Sequence, residues 1–229
     1  DLAWGELQAI SARSLFGLFS GPPGCLHKHF LMAFFQNFPY HRRNGGKLME
    51  KTINFIGISG SLRRQSRNTG LLRYAAQVVP VNVHFEIASI NDLPFYNADI
   101  QTKPESVQKL IAQAGRADAI VFGCAEYNYS LAPALKNALD WLSRESGNSL
   151  LSGKPAAIMG AGGGMGTSRS QYHLRQVCVY LNLHPLNAPE IFSNAFSDSF
   201  DEDGNLLDPR LQDLIRQQMV ALAESCRNS

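Results

Sequence analysis

From residue 53 onward, short apolar runs alternate with stretches whose apolar residues recur at helical spacing. Residues 53–58 (INFIGI) are rich in β-branched side chains and stop at Ser59, Gly60 and Ser61, which predicts a buried strand. Residues 68–79 place Leu71, Leu72, Ala75 and Ala76 on one helical face, with Pro80 as the stop. Residues 81–87 alternate apolar and polar positions and predict a second strand, and 119–123 (AIVFG) a third. Between them, 104–116 reads as a helix carrying Val107, Leu110, Ile111 and Ala114 inward. The same reasoning gives a helix at 133–142, a strand at 155–159, a helix at 168–183, a short strand near 185–188 and a closing helix at 209–223. Five strands separated by helices imply an α/β three-layer sandwich, its parallel sheet covered on both faces through right-handed crossovers. No internal repeat interrupts residues 49–229, which read as one domain.

Residues 1–48 have a different texture. Phe30, Phe34, Phe35 and Phe38 crowd beside Pro22, Pro23, Gly24 and Pro39, and neither a helical period nor a strand alternation organises them. An export signal opens with basic residues ahead of an uninterrupted apolar core, whereas this segment opens with Asp1 and Glu6 and interrupts its apolar run with His27, Lys28 and His29. Met49 stands directly before the first strand, so the expectation is a natural start at Met49 and a non-native or disordered leader at 1–48.

Charge and cysteine usage narrow the function. A formal net charge of +2 is too small for a dedicated nucleic-acid binder, whose affinity comes from neutralising phosphates. Cys25, Cys124, Cys178 and Cys226 lie far apart with no C-x-x-C pair, which points away from a structural zinc site and toward a reducing, cytoplasmic compartment. No stretch reaches the roughly 20 apolar residues that a membrane helix needs.

In open α/β sheets, ligands sit at the carboxyl ends of the strands, and three such ends are unusual here. After the first strand, residues 59–69 (SGSLRRQSRNT) combine hydroxyls, arginines and a helix start, a chemistry that suits a phosphate monoester or simply a capped helix. The loop lacks both the P-loop and the G-x-G-x-x-G patterns, and the near match to G-x-S-x-G at 57–61 lacks the final Gly. After the third strand, residues 124–133 (CAEYNYSLAP) offer two aromatic faces with amide and hydroxyl partners, as a planar heteroaromatic ligand needs, or tyrosines that only cover a helix. After the fourth, residues 160–167 (GAGGGMGT) carry glycines that let backbone amides approach a ligand edge or that merely give a flexible loop. Met165 occupies the third glycine position of a dinucleotide fingerprint. Cys124 reads as a small buried hydrophobe rather than a redox thiol, and His173 and His184 show no ligand spacing.

Three segments carry a specific likeness: GSLRRQSRNT at 60–69, EYNYSLAPALKNALDWLSR at 126–144 and SQYHLRQ at 170–176. Together they resemble the NADPH-dependent FMN reductase family, in particular its chromate/quinone reductase branch, over about residues 51–225. The resemblance implies a flavodoxin-like fold with strand order 2-1-3-4-5 and non-covalently held FMN. Ser61, Arg63, Ser66, Asn68 and Thr69 would then surround the FMN phosphate, Glu126, Tyr127, Asn128 and Ser130 would line the flavin, and Gly162, Gly163 and Gly164 would lie near its polar edge.

The activity so implied is NAD(P)H oxidation with ping-pong hydride transfer through FMN to quinones, chromate, azo compounds or free flavin. It requires no catalytic acid from the chain, since solvent or Tyr129 can protonate a quinone. The resemblance further implies a homodimer or homotetramer, with the helix containing Leu135, Lys136, Asn137 and Trp141 near a subunit contact and Arg169, Tyr172 and Glu190 at tetramer contacts. Two departures stand out: Ala125 replaces the usual Pro before Glu126, and loop 160–167 is richer in glycine than in close relatives. The alternative functions are a flavodoxin-type electron carrier and a non-turnover flavin sensor. Carriers tend to be strongly acidic for docking, whereas this chain has a pI of about 8.4.

Overall fold

The computed structural model describes residues 52–227; the leader expectation for 1–48 lies outside them. The chain forms β1 (Ile53–Ser59), α1 (Arg67–Gln77), β2 (Val83–Ala88), α2 (Glu105–Arg116) and β3 (Ala119–Gly123). A short hairpin of β4 (Glu126–Tyr127) and β5 (Ser130–Leu131) follows, then α3 (Pro133–Ser143), β6 (Pro155–Gly162) and α4 (Ser168–Leu181). β7 (His184–Pro185), β8 (Ile191–Asn194) and α5 (Pro209–Arg227) complete it.

The main sheet runs β2-β1-β3-β6-β7, with β8 also paired to β6 and every pairing parallel. Because β7 and β8 both lie along the edge of β6 away from β3, they occupy a single strand position, and the order is the expected 2-1-3-4-5. β1, β3 and β6 are apolar on both faces because helices cover both. Ile56, Ile58, Ile120 and Phe122 pack with Leu110 of α2, Leu135 and Leu139 of α3 and Leu174 of α4. Phe55, Val121 and Met159 pack on the opposite face with Leu71 and Leu72 of α1 and Ile215 and Met219 of α5. Among the described residues no helix is long and apolar enough to cross a membrane.

The structure changes three expectations. The fifth strand is split: after Leu186 N donates to Ala156 O (2.8 Å), residues 187–190 leave the ladder, and side chains take over its hydrogen bonds. Gln218 Nε2 donates to Pro189 O (2.8 Å) and Ile158 O (3.2 Å), and Gln171 Nε2 donates to Ile191 O (2.9 Å). Pro185 and Pro189 carry no N–H, so a continuous ladder was never open to this segment. β6 continues three residues past Met159, because Gly160 and Gly162 admit backbone and Thr167 into space a Cβ would occupy: a Cβ on Gly160 would lie 1.9 Å from Thr167 Oγ1, and one on Gly162 2.2 Å from Gly166 O. The expected helix 168–183 ends at Leu181, where Asn182 turns left-handed (φ 52°) and returns its N–H to Cys178 and Val179.

Candidate functional site

The three loops start side by side because their strands are in register. Ser59 pairs with Gly123, and Gly123 with Met159; Gly60 N donates to Gly123 O and Cys124 N to Met159 O, each at 2.8 Å. Chain positions far apart in sequence thus leave the sheet at one edge, in the crevice where the strand order reverses.

The first loop is tightly bonded. Ser66 caps α1, its Oγ accepting from Thr69 N (3.2 Å), while Thr69 Oγ1 donates to Ser59 Oγ (2.9 Å) and Ser61 N donates to the same oxygen (3.3 Å). Ser61 and Ser66 are buried and Arg63 is exposed. Asn68 is buried and fully engaged: Nδ2 donates to Ala161 O and Oδ1 accepts from Ala161 N, both at 2.9 Å. Its side chain therefore ties the start of α1 to the end of β6, and any influence on a ligand acts through that tie. Arg67 was not among the expected site residues. Its Nε is buried with no hydrogen-bond partner among the described residues, at the first turn of a helix whose leading amides have no acceptor within the helix. A phosphate supplies what such a donor set lacks, so the residues present fit FMN's phosphate. Only the position of Arg67 at a predicted helix start hinted at this.

The second loop is a hairpin with a two-residue turn. Glu126 pairs with Leu131 and Tyr127 with Ser130, and Asn128 and Tyr129 both take positive φ (50° and 65°), as a type I′ turn requires. Asn tolerates this conformation; an aromatic residue there is strained. Tyr127 is 46% and Tyr129 66% exposed, and the Arg169 guanidinium lies 4.0 Å from the Tyr129 ring centroid. Glu126 serves a structural end: its carboxylate accepts from Ser170 N (3.2 Å) and Arg169 Nη1 (3.4 Å). α4 has no side-chain cap of its own, so Glu126 caps it from another element and complements its dipole. Ser130 Oγ lies 3.0 Å from His173 Nδ1. Ala132 N donates to Ala125 O (3.1 Å), an acceptor that proline also carries, so closure at the hairpin's base survives the replacement.

Burial pushes the Cys124 thiol up to about 12, only partly countered by the Ser170 hydroxyl 3.3 Å away. A thiol held protonated is a poor nucleophile, which agrees with the packing reading of this residue.

In the third loop Gly166 N donates to Gly163 O (2.8 Å), closing a turn. A Cβ on Gly163 or Gly164 would meet no atom within 4 Å, so both are open to a ligand edge. Between the first loop, the segment after β2 and the start of α3 lies a cleft of about 540 Å³, lined by Leu62, Arg63, Leu93, Phe95, Tyr127 and Pro133 among others.

On the helix expected near a subunit contact, Leu135, Asn137 and Trp141 face into this chain's own fold and are buried. Asn137 Nδ2 and Trp141 Nε1 both donate to Pro94 O (2.9 and 2.8 Å), and Tyr96 N donates to Asn137 Oδ1 (2.8 Å). Helical periodicity turns these side chains inward, where they anchor the segment after β2.

A doubly wound sheet with a hydroxyl-rich, anion-ready loop after β1 and an open glycine turn after β6 defines a flavodoxin-like, mononucleotide-binding protein. The comparison with protein families identifies which: the chain belongs to the NADPH-dependent FMN reductase family, whose model matches residues 53–198. An NAD(P)H-dependent FMN reductase of Pseudomonas aeruginosa is 46% identical over 177 residues, spanning 76% of this chain and 95% of that protein. An NADPH:quinone oxidoreductase of Arabidopsis thaliana is 42% identical over 178 residues, 74% of this chain and 90% of the relative. Among solved structures, the flavoenzyme NAD(P)H:(acceptor) oxidoreductase FerB of Paracoccus denitrificans superposes with a TM-score of 0.69 at 28% identity, covering 77% of this chain and 98% of that one. The protein is an FMN-dependent NAD(P)H oxidoreductase, an enzyme rather than an electron carrier or a sensor.

Proposed function

We propose that this enzyme passes reducing equivalents from NAD(P)H to quinones, with chromate, azo compounds and free flavin as further acceptors, and that its FMN lies across the three loops described above. The buried, unpartnered Nε of Arg67 beside the capped start of α1 carries this placement. When bound, FMN supplies the hydride-accepting and hydride-donating centre. Ser61, Ser66, Thr69, Arg63 and Arg67 hold the phosphate, with Asn68 fixing the loop from behind. Tyr127, Asn128 and Ser130 flank the ring, Glu126 holds the hairpin against α4, and the amides of Gly162, Gly163 and Gly164 meet the ring's polar edge, where they stabilise developing negative charge. Tyr129 donates the proton that a reduced quinone takes up. The apolar walls of the 540 Å³ cleft, Leu62, Phe95 and Tyr127, suit a planar acceptor better than a small inorganic anion.

Residues 49–229 constitute the reductase domain in this reading, supported by a family match that begins at residue 53. A cytoplasmic location fits the free thiols of Cys124 and Cys178. The acceptor is small, with neither nucleic acid nor membrane as partner. Tyr172, Val179 and Tyr180 expose a largely apolar stripe on α4, which supports assembly into a homodimer or, with Arg169, Tyr172 and Glu190 at the second contact, a homotetramer; sedimentation velocity reads the state directly.

The direct test is anaerobic stopped-flow mixing of the yellow protein with NADH and with NADPH, followed by a panel of acceptors. Bleaching of the flavin at least as fast as turnover and faster reoxidation by quinones than by chromate are expected. A flavin inert to both nicotinamides, or one reoxidised equally by every acceptor, overturns the proposal.

A further inference from the structure

The connection between β8 and α5 contains a turn, residues 201–205 (DEDGN), that the activity as described does not use. It is built as a rigid unit. Asp201 Oδ1 accepts from Asn205 N (2.7 Å) and Oδ2 from Asn205 Nδ2 (2.9 Å), while Gly204 N donates to Asp201 O (3.0 Å). Those bonds from Asn205 hold the Asp201 carboxyl below the usual carboxylate range. Arg73, on α1, closes the unit from the other side: its Nε and Nη2 donate to Asn205 Oδ1 (3.0 and 2.8 Å), and Nη2 also donates to Asp203 O (3.1 Å).

The turn is pressed against the phosphate loop at backbone distance. A Cβ on Gly70 would lie 1.7 Å from Gly204 O, and a Cβ on Gly204 2.9 Å from Gln65 O and 3.1 Å from Ser66 C. Gly204 also has φ +78°, a conformation that glycine adopts without steric cost. Two glycines therefore allow the turn to touch the residues that precede and begin α1, and Ser66 among them is the helix cap. With three carboxylates (Asp201, Glu202, Asp203), the turn is itself unsuited to hold an anion. What it offers is placement.

We propose that the Asp201–Asn205 turn, locked by Arg73, is a positioning element for the flavin phosphate: it sets the backbone of residues 65–70 so that the Ser66 cap and the first amides of α1 converge on one point. The inference rests on the FMN placement above. Asn205 and Arg73 are positioning residues that touch no ligand, and their effect falls chiefly on the phosphate, because the hairpin and the glycine turn that flank the ring are built on other strands and meet α1 only through the Asn68–Ala161 tie.

The test titrates the full chain, freed of flavin, with FMN and with riboflavin, which lacks the phosphate, following the quenching of flavin fluorescence. In the unaltered protein FMN binds far more tightly than riboflavin. In Asn205→Ala and in Arg73→Ala, FMN affinity falls about tenfold while riboflavin affinity stays within about twofold, and the double variant loses no more than either single one, since the bonds act as one unit. Arg73 is only partly buried, so its variant keeps the measurement available if Asn205→Ala folds poorly. Equal losses for FMN and riboflavin, no loss for either, or additive losses in the double variant overturn the proposal while leaving the FMN placement intact. Equal affinity of the unaltered protein for the two flavins overturns both.

Discussion

At the proposed phosphate end of the site, Ser59, Ser61, Ser66 and Thr69 bond to one another and Asn68 is tied across to β6, whereas at the proposed ring end Tyr127, Tyr129 and Met165 stand 46, 66 and 60% exposed. The first region is closed by contacts within the protein and leaves only anion donors unanswered. The second is held at its base, by Glu126 and the turn at Gly163, and presents faces to solvent. A bound mononucleotide draws its affinity from preorganised donors, while acceptors that differ in shape need an open approach to the ring. In the proposed placement one region anchors the cofactor, and the other stays accessible to several acceptors.

The sharpest way to break this division is Gly70→Ala. The new methyl would lie 1.7 Å from the Gly204 carbonyl oxygen and must push the turn off α1, so we expect a stability loss of about 2–3 kcal/mol in thermal or urea unfolding and loss of FMN during gel filtration. Next is Asn68→Ala, which leaves Ala161 N–H and C=O unpaired in a buried site. It is expected to cost about 2 kcal/mol and to loosen FMN, with riboflavin binding changed less. Glu126→Ala removes the cap of α4 and lowers stability by about 1 kcal/mol, yet leaves FMN affinity within about threefold because the effect lies at the ring end's base.

Alkali provides a smaller perturbation. The Cys124 proton is held to about 12 in the folded protein against 9.0 for a free thiol. Its contribution to stability is therefore complete below pH 9 and is lost as pH rises from 9 toward 12. Urea unfolding at pH 10 should show roughly 1 kcal/mol less stability than at pH 8 from this group, and Cys124→Ala should flatten that slope. The smallest effect on the fold is expected for Gly164→Ala. Its methyl meets no protein atom, so stability stays within about 0.5 kcal/mol; a rise in FMN dissociation constant then reports the methyl against the flavin edge. A change in stability as large as that of Gly70→Ala would erase the distinction between the two regions.

Much of this was legible in the chain. The apolar runs placed β1 and β3 within a residue of their observed ends, and the hydroxyl-rich, tyrosine-rich and glycine-rich loops all emerged at neighbouring strand ends. What escaped is instructive by residue: the sequence did not show that Asn68 bonds to Ala161, that Glu126 caps α4, or that Asn137 and Trp141 both hold Pro94. The split between β7 and β8 was invisible as well, since two prolines in a short apolar segment do not reveal that glutamines from α4 and α5 complete its hydrogen bonds.

Periodicity records which side of an element is buried, and burial follows from the local alternation of apolar and polar positions, so the sequence by itself determined the elements, their order and the strand ends where a ligand sits. The partner of a hydrogen-bonding side chain depends instead on sheet register and on how closely two backbones approach. Asn68 and Ala161 are 93 positions apart, and Gly70 meets Gly204 only because α1 and the connection before α5 cover the same face of the sheet. Only the tertiary structure decided those pairings, and with them which polar side chains are already engaged within the protein.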